Sequence, residues 1–225
     1  MSFYSLQHRL IFIHIPKNAG SATNSLFSAT LQDYRGFEDL NKDLGHPRDM
    51  ALGNHFTYRM MASLIDQHGI DLDYHNFLKV CIVRNPWARM VSLFDHRIRK
   101  MHLTFEGRPR NSPEDIELLS KGFKPWLLKT NNVSDKVLTK MQQLEWIKDD
   151  NGNLVADVVM THESIQPDID QLMERLGLPR SELPRVNFSQ NDTSRYAERY
   201  DDETRDFIAH HFADDITTFG YTFGG

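Results

Sequence analysis

A single cysteine in 225 residues excludes an internal disulfide and any cysteine-built metal cluster. That residue, Cys81, lies in the apolar run 76–83, where a small buried hydrophobe is expected rather than a nucleophile. Positive charge is also scarce: 26 lysines and arginines face 31 acids, and the net charge of −5 argues against binding nucleic acid by phosphate neutralisation. No apolar run approaches the roughly 20 residues of a membrane span. The run nearest the N-terminus is broken by His14 and ends at Pro16, so it does not read as a secretory signal. Repeats and low-complexity tracts are missing. What remains is an ordinary globular composition, 40% hydrophobic and 25% charged. It is expected to form one domain over residues 1–225, cytoplasmic or a soluble part of something larger.

The chain is organised around residues 9–27, RLIFIHIPKNAGSATNSLF. Residues 10–15 read as a parallel strand buried on both faces, ended by Pro16, which has no N–H for a sheet ladder. Lys17, Asn18, Ala19 and Gly20 form a tight turn, and Ser21 is placed to cap a helix whose apolar positions are Leu26, Phe27 and Leu31. Strand, small-residue turn and helix start together make an anion cradle. Backbone N–H groups converge where the helix dipole is positive, Lys17 adds a full charge, and the Ser21 and Thr23 hydroxyls add donors. A Walker A loop, G-x-x-x-x-G-K-[ST], is disfavoured because the lysine comes before the glycine. The alternative is an ordinary strand-to-helix turn with an exposed lysine.

Further along, residues 57–68 read as a helix stopped by Gly69, and residues 76–83 as a second buried strand. This strand runs into Arg84-Asn85-Pro86 and a helix from Trp87 to about His102, with Trp87, Met90, Val91, Phe94 and Ile98 inward. Ser112-Pro113-Glu114-Asp115 is a well-formed helix start, and residues 123–128 and 135–147 also look helical. A third strand covers 155–161, an amphipathic helix surrounds Ile169 and Leu172, residues 180–195 form a polar loop, and a last helix begins near Asp201. Strands alternating with helices predict an α/β fold, a P-loop-like three-layer sandwich with a central parallel sheet flanked by helices. Ligands of such sheets bind at the carboxyl ends of the strands, where both the 16–20 and 84–86 loops should lie.

Two strings carry a family resemblance. The order P-K-x-x-G-[ST] at 16–21 resembles the loop by which sulfotransferases grip the 5′-phosphosulfate of 3′-phosphoadenosine-5′-phosphosulfate (PAPS). Residues 84–92, R-N-P-W-A-R-M-V-S, resemble the segment with which those enzymes hold the 3′-phosphate; a strand-end arginine makes forked, charge-assisted bonds to such a group. Gly53-Asn54-His55-Phe56 looks like the G-H segment of Golgi-type carbohydrate sulfotransferases, including the heparan sulfate 2-O group. Tyr196, Tyr200-Asp201, Asp215 and Phe219-Gly220-Tyr221 resemble the family's closing Y…YD…D…FGY helix. One departure is Ala22, where many relatives carry a hydroxyl.

The resemblance implies a soluble bacterial relative that moves a sulfuryl group from PAPS to a hydroxyl acceptor, a saccharide or glycan, without a metal. Lys17 and His55 would be catalytic, the histidine as base. Lys17, Asn18, Ala19, Gly20, Ser21, Ala22, Thr23, Arg84 and Ser92 would hold the donor. His162 is the second choice of base among 11 histidines, and Asn187 and Ser189 are candidates to close over the nucleotide. The rivals are a nucleotide kinase or NTPase, and a non-catalytic module that binds a nucleotide or glycan.

Overall fold

The computed structural model describes residues 1–45, 55–69, 73–105, 108–109, 112–129, 141–184 and 193–225. The expected roles of Gly53, Asn54, Asn187 and Ser189 lie outside the described residues, as does 135–140 of the helix expected over 135–147, whose described part forms only a 3₁₀ turn at Gln143–Trp146. The chain packs as two compact units, Met1–Arg84 with Gln143–Phe188, and Asn85–Gln142 with Ser189–Gly225.

In the first unit β1 (Phe3–Ser5), β2 (Leu10–Ile13), β3 (Arg35–Gly36), β4 (Leu78–Val83) and β5 (Val158–Thr161) form one sheet in the order β3-β1-β2-β4-β5. The three strands read from the sequence are its parallel centre: Phe12 lies opposite Val80, and Val80 opposite Val158. The edge is different. β1 is antiparallel to β2 and to β3, a feature that a three-residue strand is too short to announce.

Helices α1 (Gly20–Thr30), α2 (Phe37–Asp43) and α3 (Tyr58–His68) follow in the same unit. Side-chain alternation sorts the sheet's two faces. Phe3, Phe12, Val80, Ile82 and Met160 pack against Leu26, Phe27 and Leu31 of α1, and against Ile169, Leu172 and Met173 of the helix at Ile165–Arg175. On the other face Tyr4 meets Phe37 of α2, with ring centroids 5.2 Å apart, and α2 packs on α3. Thr57 caps α3 by accepting from Met60 N, and Gly69 ends it in the left-handed region at φ 61°. With helices on both faces, β2 and residues 79–83 of the central β4 are buried, whereas the edge strand β5 leaves Val159 41% exposed.

The second unit holds α4 (Pro86–Arg99), α5 (Pro113–Ser120) and α6 (Phe123–Lys129). After α7, the Ile165–Arg175 helix of the first unit, come α8 (Asp202–His211) and α9 (Ala213–Phe219). Its core is aromatic: Trp87, Phe94, Phe123, Trp126, Tyr196 and Phe212 are all buried together. Ile98, expected inward, is 37% exposed, because it lies in the last turn of α4. The tail motif is structural here. Tyr200 Oη donates to Trp87 O at 2.9 Å, Tyr196 Oη accepts from Gly224 N at 2.8 Å, and Asp201 caps α8 through Thr204 N. Among the described residues no helix is long and apolar enough to cross a membrane, and no cluster of His, Cys, Asp or Glu is arranged to hold a metal.

Candidate active site

The loop after β2 is built from strained backbone. Lys17 and Ala19 both have positive φ, 73° and 58°, a conformation that costs a non-glycine residue about 1–3 kcal/mol and gathers at functional sites. Such alternation of φ turns successive N–H groups toward one concavity. Ala19, not Ser21, is the N-cap of α1, and no side chain caps this helix. Ser21 instead sits exposed in the first turn: the helix starts earlier because Ala19 O already accepts from Ala22 N and Thr23 N, at 3.0 and 3.2 Å. The buried Thr23 hydroxyl donates to the same Ala19 oxygen at 3.3 Å. The first turn of α1 contains no acidic residue, so nothing within the helix itself neutralises its positive end.

Arg84 comes directly after β4 and is 4% exposed. Its Nη1 donates to Lys17 O at 3.1 Å, which ties the arginine to the strained loop. Asn18, 1% exposed, turns its side chain away from the loop's concavity and into the sheet, donating to Ile82 O at 2.8 Å and to Gln143 Oε1 at 2.7 Å. Asn18 therefore anchors the loop through its side chain and offers only its backbone outward.

Under the loop lies a histidine that the sequence did not single out. A Cβ on Gly20 would fall 1.9 Å from His14 Nε2, so the glycine is required by the imidazole packed against it. Burial first, then the positive charges of the Met1 amine, His55 and Lys17, hold His14 well below its ordinary 6.5. Its ring centroid is 4.6 Å from that of His55, in an edge-to-face arrangement, and His55 in turn meets the buried Trp146 at 6.2 Å. The base candidate His55 is thus one ring away from the start of α1. His162 follows β5, beyond the pair Val83–Thr161; burial, with help from the Arg84 charge, pushes it down to about 3. Ser92 lies half-buried in α4, in the second unit.

The first unit therefore brings Lys17 to Thr23, Arg84, His55 and His162 to one end of its parallel strands, on a P-loop-like α/β sandwich. A model of the sulfotransferase family matches residues 2–222, and the chain belongs to that family. It is also similar to a histidine–tRNA ligase of Acholeplasma laidlawii (strain PG-8A), 27% identical over 143 residues, which are 62% of this chain. The match spans 31% of that relative's length. No solved structure matches the chain.

Proposed function

We propose that the chain, acting as a single domain over residues 1–225, transfers the sulfuryl group of PAPS to a hydroxyl of a carbohydrate acceptor in the cytoplasm. The observation that carries this reading is the start of α1. A helix N-terminus with no capping side chain and no acid, next to Lys17 and joined to Arg84 through Lys17 O, is built to receive an anion.

In this reading the amides around Asn18 to Ser21 and the Lys17 ammonium hold the phosphosulfate. Lys17 stabilises the charge that develops on the oxygen between phosphorus and sulfur. Arg84 binds the 3′-phosphate by charge-assisted bonds. The acceptor oxygen forms its bond to sulfur as the bond from sulfur to the phosphate oxygen breaks, and His55 takes the acceptor's proton. Fixed positive groups supply what a metal ion supplies in phosphoryl transfer.

The test is PAPS-dependent sulfation of a panel of hydroxyl acceptors read by mass spectrometry, paired with calorimetry of adenosine 3′,5′-bisphosphate, 5′-AMP and ATP. The expected result is a mass gain of one sulfuryl group and a marked preference for the bisphosphate. Lys17→Ala should lower turnover by about 10²–10³-fold and His55→Ala by about 10²–10⁴-fold. Magnesium-dependent consumption of ATP would favour a kinase, an NTPase or an ATP-using ligase instead. Tight nucleotide binding with no turnover, indifferent to both variants, would favour a binding module.

A further inference from the structure

Residues Gln143–Trp146 form a single 3₁₀ turn, QLEW, that buries three side chains and leaves Glu145 facing out. Gln143 and Trp146 are both fully buried, at 0% exposure. Glu145 faces outward, pairs with Arg59 at 3.2 Å and also pairs with Lys148, which fixes the turn from its outer side. Inside, Trp146 lies edge-on against His55, and Gln143 reaches the two loops at the strand ends.

The reach of Gln143 is complete. Its Oε1 accepts from Asn18 Nδ2 at 2.7 Å and from Arg84 N at 2.9 Å, while its Nε2 donates to Arg84 O at 2.9 Å. One carboxamide thus takes both backbone polar groups of Arg84, one residue beyond the last β4–β5 pair, Val83 with Thr161. It does for Arg84 what a neighbouring strand does inside the sheet. The same oxygen holds the side chain that anchors the 17–20 loop. A primary amide offers both an acceptor and a donor in this geometry, which an ionised carboxylate does not.

We propose that Gln143 is a positioning residue that sets the separation of the two anion sites, the α1 start and the Arg84 guanidinium. The inference rests on the reading of those sites as a receptor for a doubly phosphorylated nucleotide. A ligand that spans two sites gains from their fixed spacing, whereas a ligand that fills one site does not. Gln143 touches no ligand in this account; it acts through Asn18 and Arg84.

The experiment measures calorimetric affinities of adenosine 3′,5′-bisphosphate, 5′-AMP and 3′-AMP for the full chain and for Gln143→Leu and Gln143→Glu, with a thermal melt of each. Gln143→Leu should weaken the bisphosphate at least tenfold and each monophosphate less than threefold. Gln143→Glu keeps the acceptor for Asn18 Nδ2 and Arg84 N but loses the donor to Arg84 O, so its loss should be smaller and again confined to the bisphosphate. If Gln143→Leu fails to fold, Gln143→Glu decides by the same ratio. A lowered melting temperature with an unchanged bisphosphate-to-monophosphate ratio makes Gln143 merely structural and overturns the proposal. A wild-type chain that binds the bisphosphate no better than 5′-AMP overturns the two-site reading itself, and this inference with it.

Discussion

Two helix starts in this protein solve the same problem in opposite ways. α5 begins with a full capping box: Ser112 Oγ accepts from Asp115 N, and Asp115 returns a bond to the Ser112 amide. α1 begins on Ala19 with positive φ and neither cap nor acid. The other helices with described N-caps side with α5, in whole or in part. α3, α4 and α8 are capped by Thr57, Asn85 and Asp201, while α2, α7 and α9 carry acids in their first turn. Four N–H groups at every helix start need a partner; among the helices just compared, α1 has neither a capping side chain nor a first-turn carboxylate, and α6, which follows Gly122, also has no acid in its first turn. The contrast sets α1 apart by an uncapped start together with positive φ at Lys17 and Ala19.

The largest expected effect on this contrast comes from acid. His14 lies against α1's start with no acid in the first turn to support its protonated form, and both His14 and His162 are held below the ordinary 6.5. The unfolded chain therefore binds protons that the folded chain refuses. Stability is fully present above about pH 6.5 and is lost as pH falls from there toward 3. Urea midpoints measured across pH 7 to 4 should drop steadily, less so in His162→Asn; a flat profile would contradict the neutral imidazole under the loop.

Next comes Gly20→Ala. The new methyl meets His14, and overpacking of this kind costs about 1–3 kcal/mol, visible as a lowered melting temperature. Pairing it with His14→Ala should recover part of that loss, a double-mutant cycle that additive singles would refute. Ser21→Asp closes the opening from outside. It gives α1 a first-turn acid such as α2, α5, α7, α8 and α9 have, so the fold should gain about 0.3–1 kcal/mol, while affinity for adenosine 3′,5′-bisphosphate should fall by about tenfold, one lost favourable charge contact. Unchanged affinity in that variant would break the comparison outright. The smallest effect belongs to Ser112→Ala, which should cost about 1 kcal/mol of stability with nucleotide affinity untouched in calorimetry.

What could be read from the residues follows the same division. The parallel centre of the sheet, the stops at Pro16 and Gly69, and the capping start at Ser112 were legible because each is a local consequence of composition and order. The sequence predicts Ser21 as the cap because nothing in the letters shows that Ala19 adopts positive φ and begins the helix itself. Sequence order places His14 at a strand end, oriented by packing, but its contact with Gly20 arises only when the loop folds back over that end. Gln143 was invisible for a plainer reason: its partner Asn18 is 125 positions away. Local signals mark where the loops are; what holds them together comes from distant sequence.

The lone cysteine has a consequence for experiment rather than for catalysis. Cys81 lies fully buried in β4, with β2 on one side and β5 on the other, and burial pushes its thiol up to about 12. It is therefore silent to alkylating reagents while the sheet is closed. Because no other thiol exists in the chain, the rate at which a maleimide marks the intact protein is a clock for the rare openings of the central strands. That clock runs without any engineered label, and a ligand that bridges the loops after β2 and β4 should slow it in proportion to its occupancy.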